Sequence, residues 1–195
     1  MTTRNRETRT MEIRARNDDA YTVEGYASTF DTYVLYRDGD IDFSERIDPA
    51  AFDGADLSDV VFRIDHEGPV YARSSAGTLQ LDIDEHGLHN MTDLSRTQRS
   101  RDIFAELKAG NYPQMSFAFT VAEEHYERDS HTRVIDRIAK VYDVSPVSFP
   151  ANPNTYLVAR SFIDGEIEKE RAERLAAEER ERAKAKLRLK LKLMR

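Results

Sequence analysis

The sequence contains no cysteine. That excludes disulfides, thiolate metal centres and a cysteine nucleophile, fits a reducing compartment, and leaves serine as the natural nucleophile for covalent chemistry. No apolar run approaches the roughly 18 to 20 residues that cross a bilayer. The basic opening Thr3-Arg4-Asn5-Arg6 leads into no signal-like hydrophobic stretch, so a soluble, intracellular chain without a membrane partner is expected. A glycine-rich phosphate loop and a dinucleotide fingerprint are also missing, which argues against a nucleotide cofactor. The histidines His66, His86, His89, His125 and His131 show no metal-ligand spacing with one another or with a carboxylate cluster. Neither a metal nor any other cofactor is expected.

What is present fits one globular domain with a polar appendage: 195 residues, 39% hydrophobic and 33% charged. The net charge of -7 hides a division. Residues 164–195 carry 11 Lys+Arg against 8 Asp+Glu, a balance of +3, and residues 1–163 carry 18 against 28, a balance of -10. An acidic body does not suit phosphate contacts, so nucleic acid is not expected as the main partner, and only the tail has the charge for it.

Strand-like alternation dominates the body. Met11 to Arg16 and Tyr21 to Phe30 flank the turn formers Asn17-Asp18-Asp19 and read as a hairpin. Further β runs are Val60 to Ile64, Thr78 to Ile83, Leu88 to Leu94, Gln114 to Tyr126, Thr132 to Val144 and Tyr156 to Ala159. Turns at Glu85-His86-Gly87 and Arg128-Asp129-Ser130 make two more hairpins. One helix is predicted over Thr97 to Ala109, with Ile103, Phe104 and Leu107 on one face and a stop at Gly110-Asn111; a shorter one follows Asp48-Pro49. Many short strands with few helices favour a barrel or a sandwich. After Phe162 the composition turns to Glu, Lys, Arg, Ala and Leu, so a folded domain over 1–162 and a charged helical or disordered tail over 163–195 are expected, with Gly165 near the boundary. The alternating leucines at 187, 189, 191 and 193 have the wrong spacing for a helical stripe, and their conformation stays open.

Three segments carry the chemistry. One strand-like run ends Ile64-Asp65-His66-Glu67, another holds Met115-Ser116-Phe117-Ala118-Phe119, and a third reads Tyr142-Asp143-Val144-Ser145. They supply a base, a nucleophile and an orienting carboxylate in the order His, Ser, Asp. Each residue also has an ordinary reading. His66 fits a solvated strand end, Asp143 an exposed strand-end charge, and Ser116 the small face of a strand whose bulky Met115, Phe117, Phe119 and Val121 point inward. In the functional reading, the small neighbours Ala118 and Thr120 leave space for a peptide beside the hydroxyl. No Gly-x-Ser-x-Gly turn surrounds Ser116, so serine chemistry here is built on a strand.

Taken together, these segments resemble the prohead maturation proteases of tailed phages, the HK97 prohead protease type. The resemblance covers most of residues 23–160. It runs through Gly25-Tyr26-Ala27-Ser28-Thr29-Phe30-Asp31, Glu45-Arg46-Ile47-Asp48-Pro49-Ala50-Ala51-Phe52 and Val61-Phe62-Arg63-Ile64-Asp65-His66. It continues through Gly77 to Leu81, Gly87-Leu88, Leu107-Lys108-Ala109-Gly110 and Met115 to Phe119, and closes on Asp143-Val144-Ser145-Pro146-Val147-Ser148-Phe149-Pro150-Ala151-Asn152-Pro153. Ala50 and Ala118 stand where the family commonly has glycine, and Asp143 where it more often has glutamate.

The resemblance implies a mainly β fold with a few helices, an antiparallel β-barrel of the herpesvirus-assemblin type, here with a charged C-terminal helical tail. It implies a serine endopeptidase with catalytic residues Ser116 (nucleophile), His66 (base) and Asp143 (orienting acid), and backbone amides after Asp143 are the expected oxyanion donors. The implied substrate is the scaffold protein or the scaffold-like N-terminal part of the major capsid protein, together with the protease itself, cut inside the assembling procapsid in the host cytoplasm. Two other functions follow from the same residues: a non-enzymatic assembly chaperone or scaffold homologue on the same barrel, and a β-barrel module whose basic tail binds nucleic acid.

Overall fold

The computed structural model describes residues 6–15, 21–148 and 153–193. The chain order is β1 (Arg6–Ala15), β2 (Thr22–Thr29), β3 (Tyr33–Asp38), β4 (Ile41–Ile47), β5 (Val61–Ile64), β6 (Glu67–Arg73), β7 (Leu79–Ile83), β8 (Gly87–Asp93), α1 (Gln98–Lys108), β9 (Gln114–Glu127), β10 (Thr132–Val147) and α2 (Pro153–Leu193). The chain separates into two compact units, Met1–Val158 and Ala159–Arg195. No helix among the described residues is long and apolar enough to cross a membrane.

The three expected hairpins form, as β1–β2, β7–β8 and β9–β10, each antiparallel; the turn at Asn17-Asp18-Asp19 lies outside the described residues. In the second, the Asp84 carboxylate accepts from the backbone N–H groups of His86 and Gly87, the side-chain-to-backbone turn that aspartate favours. Gly87 has a packing reason to be glycine. A Cβ there would lie 2.0 Å from the Ser28 carbonyl oxygen on β2. The predicted helix is α1, capped by Thr97, whose hydroxyl accepts from Ser100 N–H at 3.0 Å. The shorter helix expected after Asp48-Pro49 forms as a 3-10 helix over Pro49–Phe52, capped by Asp48, whose carboxylate accepts from Ala50 N–H at 2.9 Å.

Three strands escaped the periodicity. β3 and β4 pair around a tight turn with Gly39 at φ +60°, but β4 turns Glu45 inward between Phe43 and Ile47, so its inner face does not read as apolar. Glu45 is fully buried and meets the buried Arg133 at 2.7 Å, with the Tyr33 hydroxyl and Glu124 completing the network. β6 begins with Glu67-Gly68-Pro69, residues that ordinarily argue against a strand. In the opposite direction, Tyr156 to Ala159 was expected as a strand and lies within α2. A short apolar run has no period of its own to tell helix from strand. Here the long sequence of helix formers behind it decides, with ion pairs three residues apart at Arg171–Glu168 and Lys184–Glu181, each 2.8 Å. α2 crosses Gly165 without a break and includes the alternating leucines 187–193.

The described residues are therefore mainly β with two α-helices. The hydrogen-bonded order is β3-β4-β10-β9-β1-β2-β8-β7, with β5 attached to β10 and β6 attached to β5. That path is open, since β3 and β7 at its ends do not pair with each other. β10 organises the sheet: parallel to β4 along Thr132 to Ile135, parallel to β5 at Asp143 and Val144, and antiparallel to β9 throughout. The core gathers Phe52, Phe62, Leu88, Phe117, Phe119, Ile135, Val141 and Val144, each full burial of a large side chain stabilising by about 1.5–3 kcal/mol. Met115, Phe117 and Phe119 point into it as the alternation predicts, and Phe117 stacks on Phe119 at 4.3 Å.

Candidate active site

Two of the three residues singled out from the sequence lie on neighbouring strands, Ser116 on β9 and Asp143 on β10, and the third, His66, lies in the turn that follows β5, which pairs with the other side of β10. Ser116 sits in the interior of β9, opposite Ser145 of β10. Asp143 faces the same side through a bulge. Upstream, Val141 pairs with Phe119 on the core face; one residue is then inserted, and Asp143 pairs with Ala118. Without that insertion Asp143 would share the face of Val141, since strand side chains alternate. A bulge beside a site re-aims a side chain, and this one turns a carboxylate toward Ser116.

His66 arrives from the other side in the hairpin between β5 and β6. Ile64 pairs with Glu67, so Asp65 and His66 form a two-residue loop, both left-handed with φ of +48° and +60°. Two positive φ angles are what a type I′ hairpin requires, and Asp and His tolerate them better than most residues do. The loop is held from outside. Asp65 N–H donates to the Pro146 carbonyl at 3.0 Å, and Asp65 Oδ1 accepts from Ser148 N–H at 2.9 Å and Ser148 Oγ at 3.1 Å. This clasp ties the histidine turn to the end of the strand that carries Asp143, and such support keeps strained residues in place.

The resulting chain of contacts is continuous. His66 Nε2 lies 2.9 Å from Ser116 Oγ, and His66 Nδ1 lies 2.6 Å from Asp143 Oδ1. An ionised carboxylate only accepts, so Nδ1 carries the imidazole proton and Nε2 is left as the acceptor for the serine hydroxyl. Asp143 is fully buried and Ser116 is 1% exposed, whereas the His66 side chain keeps 14% of its surface. A buried carboxylate is costly unless it is paired; here Oδ1 also accepts from Ser145 Oγ at 2.8 Å. The face expected to stay open beside the hydroxyl is itself buried at Ala118 and Thr120.

The remaining histidines have other partners. His89 meets Glu24 at 3.2 Å, His125 meets Asp136 at 2.7 Å, His131 meets the Tyr126 hydroxyl at 3.0 Å, and His86 is exposed on its turn. Among the described residues no group of three or more His, Cys, Asp or Glu is placed to hold a metal ion. The expected oxyanion donors after Asp143 are constrained. Residues through Val147 belong to β10, Ser148 N–H is committed to Asp65, and residues 149–152 lie outside the described set. Sequence reading assigned no role to Asp65, Ser145 or Ser148. For Ser145 a signal existed, two residues from Asp143 on the same strand face.

No curated protein and no solved structure matches the chain. A family model does: that of the caudovirus prohead serine proteases, over residues 7–166, a span that contains His66, Ser116, Asp143 and every strand of the sheet except the first residue of β1. On that match, the chain belongs to the caudovirus prohead serine protease family.

Proposed function

We propose that this chain is a serine endopeptidase of capsid maturation in which Ser116, His66 and Asp143 form the catalytic triad. The observation that supports this best is the unbroken Ser116–His66–Asp143 hydrogen-bond chain of 2.9 and 2.6 Å, made by residues far apart in sequence. As Ser116 Oγ attacks the scissile carbonyl, its proton passes to His66 Nε2, and the imidazolium is stabilised by Asp143, which stays ionised. Collapse of the tetrahedral intermediate breaks the C–N bond, and the proton on Nε2 goes to the leaving amine. Water, deprotonated by the same nitrogen, then hydrolyses the acyl-enzyme and regenerates Ser116.

The substrates in this reading are the scaffold protein and the N-terminal segment of the major capsid protein, together with the protease itself. The site of action is the procapsid in the host cytoplasm, where enclosure raises the effective concentration of enzyme and substrate. The assemblin-type barrel is part of the same reading. Its support is the series of register shifts along β9–β10, after Ile135, Arg137, Ile138 and Val141, which are the irregularities that bend and curl a sheet. The exposed, charged face of α2 suits a tether to scaffold or shell. Deleting residues 164–195 is expected to reduce packaging of the protease into procapsids, and unchanged packaging refutes the tether.

The catalytic assignment is tested with a fluorophosphonate probe on the full chain. A single adduct mapping to Ser116, absent in His66→Ala, is expected. Wild-type protein that stays unmodified, or is modified at another serine, refutes it and favours the non-enzymatic scaffold homologue.

A further inference from the structure

We propose that Ser145 is a positioning residue of this site, holding the Asp143 carboxylate in the orientation that meets the imidazole. The inference rests on the triad reading above. Ser145 Oγ donates to Asp143 Oδ1 at 2.8 Å, and that same oxygen receives His66 Nδ1–H at 2.6 Å. Both Ser145 and Asp143 are fully buried, so no solvent competes for the bond.

The strand register explains why a serine is needed here. Beyond the bulge, Asp143 and Ser145 alternate onto the face of β10 that meets Ala118 and Ser116 of β9. A residue directly opposite Ser116 lies with its Cβ about 5 Å from the nucleophile's. An apolar side chain at 145 would leave Asp143 Oδ1 without its second donor. A polar side chain longer than threonine would intrude on Ser116. A serine donates to the carboxylate and remains small. His66 Nε2 bonds to Ser116, not to Ser145, so the two opposed serines are distinguished by their partners: one is activated by the imidazole and the other braces the acid behind it.

During attack the imidazole becomes a cation, and its Nδ1–H must keep pointing at Oδ1. A carboxylate braced from a second side cannot rotate away, and the hydroxyl bond also stabilises the ionised carboxylate. Removing the hydroxyl concentrates the Asp143 charge on the histidine. Among the described residues, Asp143 of β10 and Ser116 of β9 meet His66, and Asp65 and Glu67 flank it in sequence on its own turn. Asp65 is engaged with Ser148 and does not replace Ser145.

The test is the pH dependence of fluorophosphonate labelling of the full chain. Ser145→Ala and Ser145→Cys are expected to slow the maximal labelling rate roughly tenfold, with little change in the probe concentration at half-saturation. The acid limb of the profile is expected to move to higher pH. Ser145→Thr, which keeps the hydroxyl, restores both. Cysteine preserves the packing with a weak donor, so it carries the test if the alanine variant does not fold. Wild-type rate in a folded Ala or Cys variant overturns the inference, as does an acid limb that stays in place or moves down. Ser116→Ala and His66→Ala separate the two failures. If they still label at the wild-type rate, the triad reading falls; if they are silent while Ser145 variants behave as wild type, only the role of Ser145 falls.

Discussion

The histidine turn provides the sharpest separation between local conformation and catalytic position. Asp65 does two things: it adopts a left-handed backbone at φ +48°, and its carboxylate clasps Ser148. Three substitutions divide them. Asp65→Asn keeps the side-chain acceptor and tolerates positive φ, so its stability should stay within about 0.5 kcal/mol of wild type. Asp65→Gly keeps the backbone freedom and loses the clasp, whose exposed bonds to Ser148 are together worth about 1 kcal/mol. Asp65→Ala loses the clasp and adds about 1–2 kcal/mol for a Cβ in the left-handed region, for a total near 2–3 kcal/mol. Urea unfolding should therefore rank Asn above Gly above Ala. Activity should fall more steeply than stability, because a displacement of 1 Å between His66 Nε2 and Ser116 Oγ costs about a hundredfold. Capsid-protein cleavage by Gly and Ala variants, compared at temperatures where both are folded, is expected to drop at least tenfold. Wild-type cleavage in both would refute the idea that the clasp positions the histidine.

Other consequences are equally direct. Asp143→Asn should leave the fold intact and lower kcat by about four orders of magnitude, because an amide favours the wrong imidazole tautomer; steady-state proteolysis beside a circular dichroism spectrum checks it. Arg133→Ala takes the buried guanidinium away from the fully buried Glu45, and chemical unfolding should report a loss of roughly 3–5 kcal/mol; a loss below 1 kcal/mol would contradict the burial. The hydrogen bond from Lys140, helped by Ser58, holds the Asp56 carboxyl well below its ordinary value. Its folded pKa is depressed, so its contribution to stability is complete above the unfolded value, near 4, and is lost as pH falls below that. The stability gap between wild type and Asp56→Asn should accordingly be full at pH 7 and narrow in acid unfolding below about pH 4.

Elements with an undisturbed period were legible in the sequence. The alternation of Met115, Phe117 and Phe119 against Ser116 and Ala118 identified β9 and its inward face. Gly110 marked the C-terminal end of α1. The failures have equally local causes. Glu45 is buried by an arginine 88 residues away, a partner that no window can see. Tyr156 to Ala159 took its conformation from the helix formers that follow it. Around the site, the residue types were readable, but their convergence was not. His66 and Ser116 are 50 positions apart and His66 and Asp143 are 77 apart, so only the ordered resemblance of many short segments connected them. The bulge that turns Asp143 left one trace: the core residues Val141 and Val144 stand three apart, which strict alternation forbids. The I′ turn at Asp65-His66 left only an aspartate at its first position, because no glycine follows to complete the usual signal.

The central claim is that Ser116 cuts a capsid-assembly protein, and intact mass spectrometry of the purified chain incubated with the major capsid protein of its own phage measures that directly. Discrete fragments of the capsid protein should grow with time in the wild type and be absent with Ser116→Ala and His66→Ala. Fragments that persist unchanged in Ser116→Ala, or a capsid protein left whole by folded wild-type enzyme, would contradict it.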